Sequence, residues 1–169
     1  IGLVLLVVFV IHEGKSFHPL LATPIYSVTD FSMSNLGSLI QYSATYAVSF
    51  LLSLYFQVIL GLPPAVSGAI LLVQPIIMAF FIARAGDLSD KMVRGASLIG
   101  LVLTALGLTA FALFPRVPVS GAAIFLVFIG LGAALFGAPN NSAIMGSVKK
   151  MHHGIASSIL ALSRNLGQA

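Results

Sequence analysis

The chain has 169 residues, 59% of them hydrophobic and only 7% charged, with no cysteine and a formal net charge of +4. A soluble domain carries about a quarter charged residues, and one core of this size could not hide so much apolar surface; the mean hydropathy of +1.09 points the same way. These figures exclude a water-soluble globule, a disulfide framework and thiolate metal sites, and they make the net charge a question of placement along the chain rather than a signal for nucleic acid.

Crossing about 30 Å of hydrocarbon takes roughly 20 helical residues. By that ruler residues 1–11 read as the end of a truncated membrane helix, opening on Ile1 rather than Met. No basic region precedes this run, so it does not read as a signal peptide. Residues 12–32 form a polar loop holding Glu13, Lys15, His18, Pro19, Pro24 and Asp30. A first complete span covers 33–60, and Gly61, Pro63 and Pro64 follow it as a turn that cannot easily stay helical. The second span covers 67–83, and the charged stretch 84–95 separates it from the third, 96–114. After the turn Pro115-Arg116-Val117-Pro118 comes the fourth span, 120–145, then a short basic loop at 146–153 and the beginning of another helix at 154–169. The fold class is therefore an all-α membrane protein with four complete transmembrane helices and two truncated ones. None of the runs alternates as a membrane barrel strand does, and in lipid a helix satisfies its own backbone.

Orientation follows from the cations. Lys15, Arg84, Lys91, Arg94, Lys149 and Lys150 fall on one side of the predicted spans and Arg116 on the other. The loops 12–32, 84–95 and 146–153 are thus expected to be cytoplasmic in a multi-pass protein of the cell membrane.

Polar residues inside apolar helices mark either helix-to-helix hydrogen bonds or a water-filled path, because facing lipid is costly. Asn35, Gln41, Tyr42, Tyr46, Gln57, Gln74, Asn140, Asn141, Arg164 and Asn165 are such residues. Gln41, Gln74 and Asn141 are the candidates for a substrate path. Asn140 and Asn141 directly follow Pro139, where freed backbone groups also need partners. Arg164 has no carboxylate in its own helix, and its partner is expected toward the cytoplasmic end. Pro75 removes one backbone hydrogen bond in mid-span and predicts a kink. Gly130, Gly132 and Gly137 predict close helix packing, with spacings Gly130/Ala134 and Ala133/Gly137.

Enzyme chemistry has little to build on. His12-Glu13 lacks the second histidine of a zinc-protease helix, where Ser16 stands instead. His152 and His153 are adjacent and cannot both face one metal. No catalytic residue, metal or cofactor is expected.

The stretch 84–95 is the most informative. It packs Asp87, Asp90, Lys91 and Arg94 into a short connection between two membrane helices. A solvated hairpin with anchoring cations accounts for it, and so does a charge latch that breaks when the conformation changes. Gly86-x-Leu88-x-Asp90-Lys91-x-x-Arg94 resembles the cytoplasmic loop motif of major facilitator superfamily transporters, with Val93 in place of the motif's second glycine. Three further stretches resemble the same superfamily, in its 14-helix drug:proton antiporter branch. His12-Glu13 with Pro19-Leu20-Leu21 and Phe31-x-x-x-Asn35 is similar to the entry into the seventh core helix. Gly130-x-Gly132 with Gly137-x-Pro139-Asn140-Asn141 is similar to the tenth core helix. Gly154-x-Ala156-Ser157 with Arg164-Asn165-Leu166-Gly167 is similar to the start of the eleventh. In this resemblance residues 33–169 are a partial C-terminal six-helix half of a major-facilitator-type helical bundle. It implies proton-driven export of hydrophobic or cationic compounds by alternating access, with lipid, a small-molecule substrate and protons as partners and no nucleic acid. All four acidic residues (Glu13, Asp30, Asp87, Asp90) fall in the predicted loops, so the coupling carboxylate is expected in the absent N-terminal half. A facilitator for a polar solute such as a sugar or carboxylate, or a non-transporting scaffold or sensor of the same fold, are the alternatives.

Overall fold

A computed structural model describes residues 28–114 and 116–169, with the side chains of residues 87–94 outside the description. The expected truncated helix at 1–11 and most of the expected loop at 12–32 lie outside the described residues.

Helix α1, Thr29–Leu54, starts four residues before the expected boundary, with Asp30 in its first turn where the helix dipole favours an anion. It runs on as a π-helical turn, Tyr55–Ile59. Gly61 then takes a φ of 63°, a conformation that costs a residue with a side chain, and α2, Pro64–Leu71, begins on a proline at the position where a missing N–H costs nothing. The helical pattern is interrupted at Leu72 and resumes as α3, Val73–Leu113. The interruption falls beside Pro75, which has no N–H for the carbonyl of Leu71; the bonds Leu72 N to Gly68 O and Ile76 N to Leu72 O carry the helix across it. Helix α4, Val119–Gly146, carries Pro139 inside it. A short 3₁₀ turn, Lys150–His152, leads into α5, His153–Gln168.

The expected loop at 84–95 is helical throughout, yet α3 is not a straight rod. Gln74 O lies 2.7 Å from where a side chain on Gly130 would begin, and Gly100 O lies 2.7 Å from the same point on Gly132. A straight helix would hold Gln74 and Gly100 about 39 Å apart, whereas Gly130 and Gly132 sit within one turn of α4. The chain therefore reverses between Met78 and Gly100, and both arms of α3 pack on α4. The correction is that no non-helical segment separates the arms; the membrane-crossing lengths remain Pro64–Gly86 and Gly95–Leu113.

Among the described residues four helical segments are long and apolar enough to cross a membrane, the other two being Thr29–Ile59 and Val119–Gly146. Helix α4 is the axis of the bundle, with 44% of its most apolar window buried against 11% for the first two spans. Glycines make this possible. A side chain on Gly100 would strike the backbone of Phe136 and Gly132, and one on Gly107 would strike Ile129. The core is split in two. Phe31, Ile144, Ala156, Ile159 and Leu160 cluster at the end that carries Arg84, Lys149 and Lys150, and Leu52, Phe56, Val117, Ala122 and Leu126 cluster at the other. Outward-facing residues such as Val58 and Phe80, 76% and 72% exposed, suit lipid rather than water.

Candidate functional site

Between the two apolar clusters lies a seam of buried polar side chains. Helix α1 contributes Asn35, Ser38, Gln41 and Tyr42, whose spacing of three and four residues stacks them along one side. Asn140 of α4 donates to Ser38 Oγ at 2.8 Å and to Ser34 O at 3.2 Å. Asn35 donates to Phe31 O at 2.9 Å and accepts from Ser163 of α5 at 3.4 Å. Gln41 donates to Thr104 Oγ1 at 3.0 Å, and that hydroxyl donates in turn to Gly100 O at 3.0 Å. The seam thus ties α1 to α3, α4 and α5 at mid-depth. Leaving such groups unpaired in an apolar setting would cost a few kcal/mol each.

Pro139 shapes one wall. Its missing N–H frees the carbonyl of Leu135, and the carbonyl carbon of Leu135 lies 2.9 Å from where a side chain on Gly100 would start. The α3 backbone approaches α4 most closely where the α4 ladder is open. Gly132 faces Gly100 O and Thr104 at the same crossing, Gly130 faces Gln74 and Ile77, and a side chain on Gly137 would meet only Met78 Cε, at 4.0 Å.

Arg164 occupies the side of the seam nearest α5. Its Nη2 donates to Asn141 Oδ1, and its guanidinium carbon stands 5.2 Å from the centre of the Tyr42 ring. Its Nε is buried with no hydrogen-bond partner, as is the hydroxyl of Thr45 one turn beyond Tyr42. Arg164 therefore meets Asn141, which lies toward the basic end, and Tyr42. Helices α4 and α5 share the apolar cluster of Ile144, Ala156, Ile159 and Leu160, and Arg164 links them again through Asn141.

The three path candidates fall at two levels. Gln41 and Gln74 are buried near Gly132 and Gly130 respectively, while Asn141 lies nearer the basic end, on Arg164. Gln57 and Tyr46 sit elsewhere: Gln57 bonds Ser53 at an exposed position, and Tyr46 is largely exposed. Thr104, Ser38 and Ser163 escaped the sequence reading because a hydroxyl in a helix can bond its own preceding turn and so carries no signal of a partner. A signal for Thr104 was present in the small-residue row Gly100-x-x-x-Thr104-x-x-Gly107. Gly86 has open space around it, and the side chains of Leu88, Asp90, Lys91 and Arg94 lie outside the description.

An apolar groove of about 650 Å³ lies at the end away from the basic loops. Leu51, Val58, Leu108 and Phe111 are among its walls, and Tyr55, whose hydroxyl donates to Val117 O at 3.1 Å, stands at its side.

A family model described as Major Facilitator Superfamily matches residues 3–169. Among curated proteins, the chain is 32% identical over 184 aligned residues to the riboflavin transporter RibZ of Clostridioides difficile (strain 630), covering 100% of this chain and 38% of that protein. It is 30% identical over 153 residues to the uncharacterized transporter YebQ of Escherichia coli (strain K12), covering 89% and 34%. It is 25% identical over 170 residues to the multidrug efflux pump LfrA of Mycolicibacterium smegmatis, covering 99% and 34%. The chain spans about a third of the length of these relatives. No solved structure matches it at comparable significance.

Proposed function

The chain belongs to the major facilitator superfamily, and from that premise we propose that it forms part of the C-terminal half of a secondary transporter exporting hydrophobic, drug-like molecules by alternating access. The observation that carries this reading is the placement of the polar seam. Gln41, Thr104 and Asn140 lie buried between helices, where a transporter keeps its substrate path, with Arg164 beside them and an apolar cluster toward each end of the bundle. The groove walled by Leu51 and Phe111 supports an apolar cargo, and one relative is named a multidrug efflux pump. In the same reading Asp90, Lys91 and Arg94 latch the basic, cytoplasmic end.

Proton drive is the finer part of the proposal. No described acidic side chain lies in mid-span, Asp30 being in the first turn of α1, so the coupling carboxylate would be supplied by the rest of the transporter. The test uses the full-length protein in proteoliposomes with an imposed pH gradient. Accumulation of a hydrophobic dye that collapses when the gradient is dissipated supports the reading. Movement that merely equilibrates the dye, gradient or none, replaces it with a facilitator. A second reading, transport of a polar planar solute, draws on the relative named a riboflavin transporter; competition between riboflavin and the dye in the same vesicles distinguishes the two.

A further inference from the structure

We infer that Arg164, Tyr42 and Asn141 form a recognition site for the acidic group of a flat aromatic substrate. This rests on the transporter reading above and names the class of cargo for one part of its path.

The argument starts from cost. Arg164 lies about 16 Å along α5 from His153, and a guanidinium at that depth in a membrane costs at least a few kcal/mol unless a counter-charge or water meets it. Among the described residues no carboxylate does. Its hydrogen-bond partner is a neutral amide oxygen, Asn141 Oδ1, and its Nε is buried with nothing to donate to. The positive charge is therefore held in place but not neutralised.

The surroundings favour a ligand as the missing partner. Arg164, Tyr42 and Asn141 are each half-buried, so none of the three is enclosed by the bundle. Asn141 fixes the guanidinium from the α4 side, and Tyr42 lies 5.2 Å beneath its carbon. A planar guanidinium presents paired donors that match the two oxygens of a carboxylate. The guanidinium covers one face of Tyr42 and leaves the ring edge for an edge-to-face contact, so a flat ring bearing an acid can meet that edge while its acid pairs. The same charge repels a cation. The site therefore selects for organic anions within a hydrophobic cargo range.

The test compares 2-naphthoate with its uncharged methyl ester, by equilibrium binding to the purified full-length transporter and by uptake into proteoliposomes. Arg164→Gln is expected to weaken naphthoate binding at least tenfold and ester binding less than twofold. Arg164→Lys, a point charge without the fork, should fall between, and Tyr42→Leu should weaken both probes. Equal weakening of acid and ester by Arg164→Gln in protein that stays monodisperse overturns the site and makes Arg164 a structural cation, paired elsewhere in the transporter. A wild-type protein that fails to bind naphthoate overturns it too. Arg164-dependent binding without movement of either probe keeps the site and removes the transporter reading. Movement of the ester with no Arg164-dependent preference does the reverse.

Discussion

Thr104 is the residue on which the α1–α3 contact turns. Its hydroxyl accepts from Gln41 and donates to Gly100 O, so replacing it with valine keeps the shape while leaving a buried amide with no acceptor. Thr104→Val is expected to lower stability by about 1 kcal/mol, and Thr104→Ser by only a few tenths of that. Thermal unfolding of the purified protein in detergent checks both; equal melting points for all three would mean that Gln41 finds another partner. Gln41 was legible in the sequence as a polar residue deep in a span. Its partner was not, because many hydroxyls in these helices bond their own preceding turn, as Ser49, Ser67, Thr109 and Ser158 do. Arg164 shows the same limit from the other side. A mid-span cation is conspicuous in the chain, but nothing local indicates that an amide two helices' ends away and a ring on α1 will meet it.

At the scale of elements, length and hydropathy located the spans, while the join between the two arms of α3 was misread. Charged residues from Arg84 to Arg94 suggested a loop. Most of them are good helix formers, and the backbone stays helical while the direction reverses. What aligns the arms is a set of glycines on α3 and α4. At Gly132 even a methyl group would meet backbone, with Gly100 O and Thr104 N both 2.7 Å away, whereas at Gly68 of α2 it would meet nothing within 4 Å. Gly132→Ala is therefore expected to destabilise by about 1–3 kcal/mol. Gly68→Ala, in a helix interior that favours alanine by up to about 1 kcal/mol, should be neutral or stabilising. Melting curves of the two variants side by side decide this, and a harmless Gly132→Ala would show that α3 and α4 can slide apart freely.

The whole molecule is a bundle held more by one helix than by a shared core. Among the described membrane-length segments α4 buries by far the largest share of its most apolar window, and the apolar surface left on the others suits lipid or neighbouring helices. The composition made that plain at once, and the cation pattern assigned a side to each end. These 169 residues hold no cysteine, so in a full-length protein whose remaining cysteines, if any, have been replaced by serine, a single introduced cysteine tests orientation directly. In intact cells, a membrane-impermeant maleimide is expected to label Arg116→Cys, and to label Lys150→Cys only after the membrane is opened. The opposite pattern would invert the topology and place the seam's Arg164 on a path entered from the other side.

The π turn at Tyr55–Ile59 carries a consequence for anyone scanning this helix experimentally. An α-helix advances about 100° per residue, and one turn of the wider kind accommodates an extra residue. A helical wheel drawn for α1 therefore goes out of phase after Leu54. Accessibility measured residue by residue from Val48 to Leu60 should follow one rhythm up to that point and then slip by about one residue. A scan read with an unbroken period would assign Val58 and Ile59, which line the apolar groove, to the wrong face of the helix.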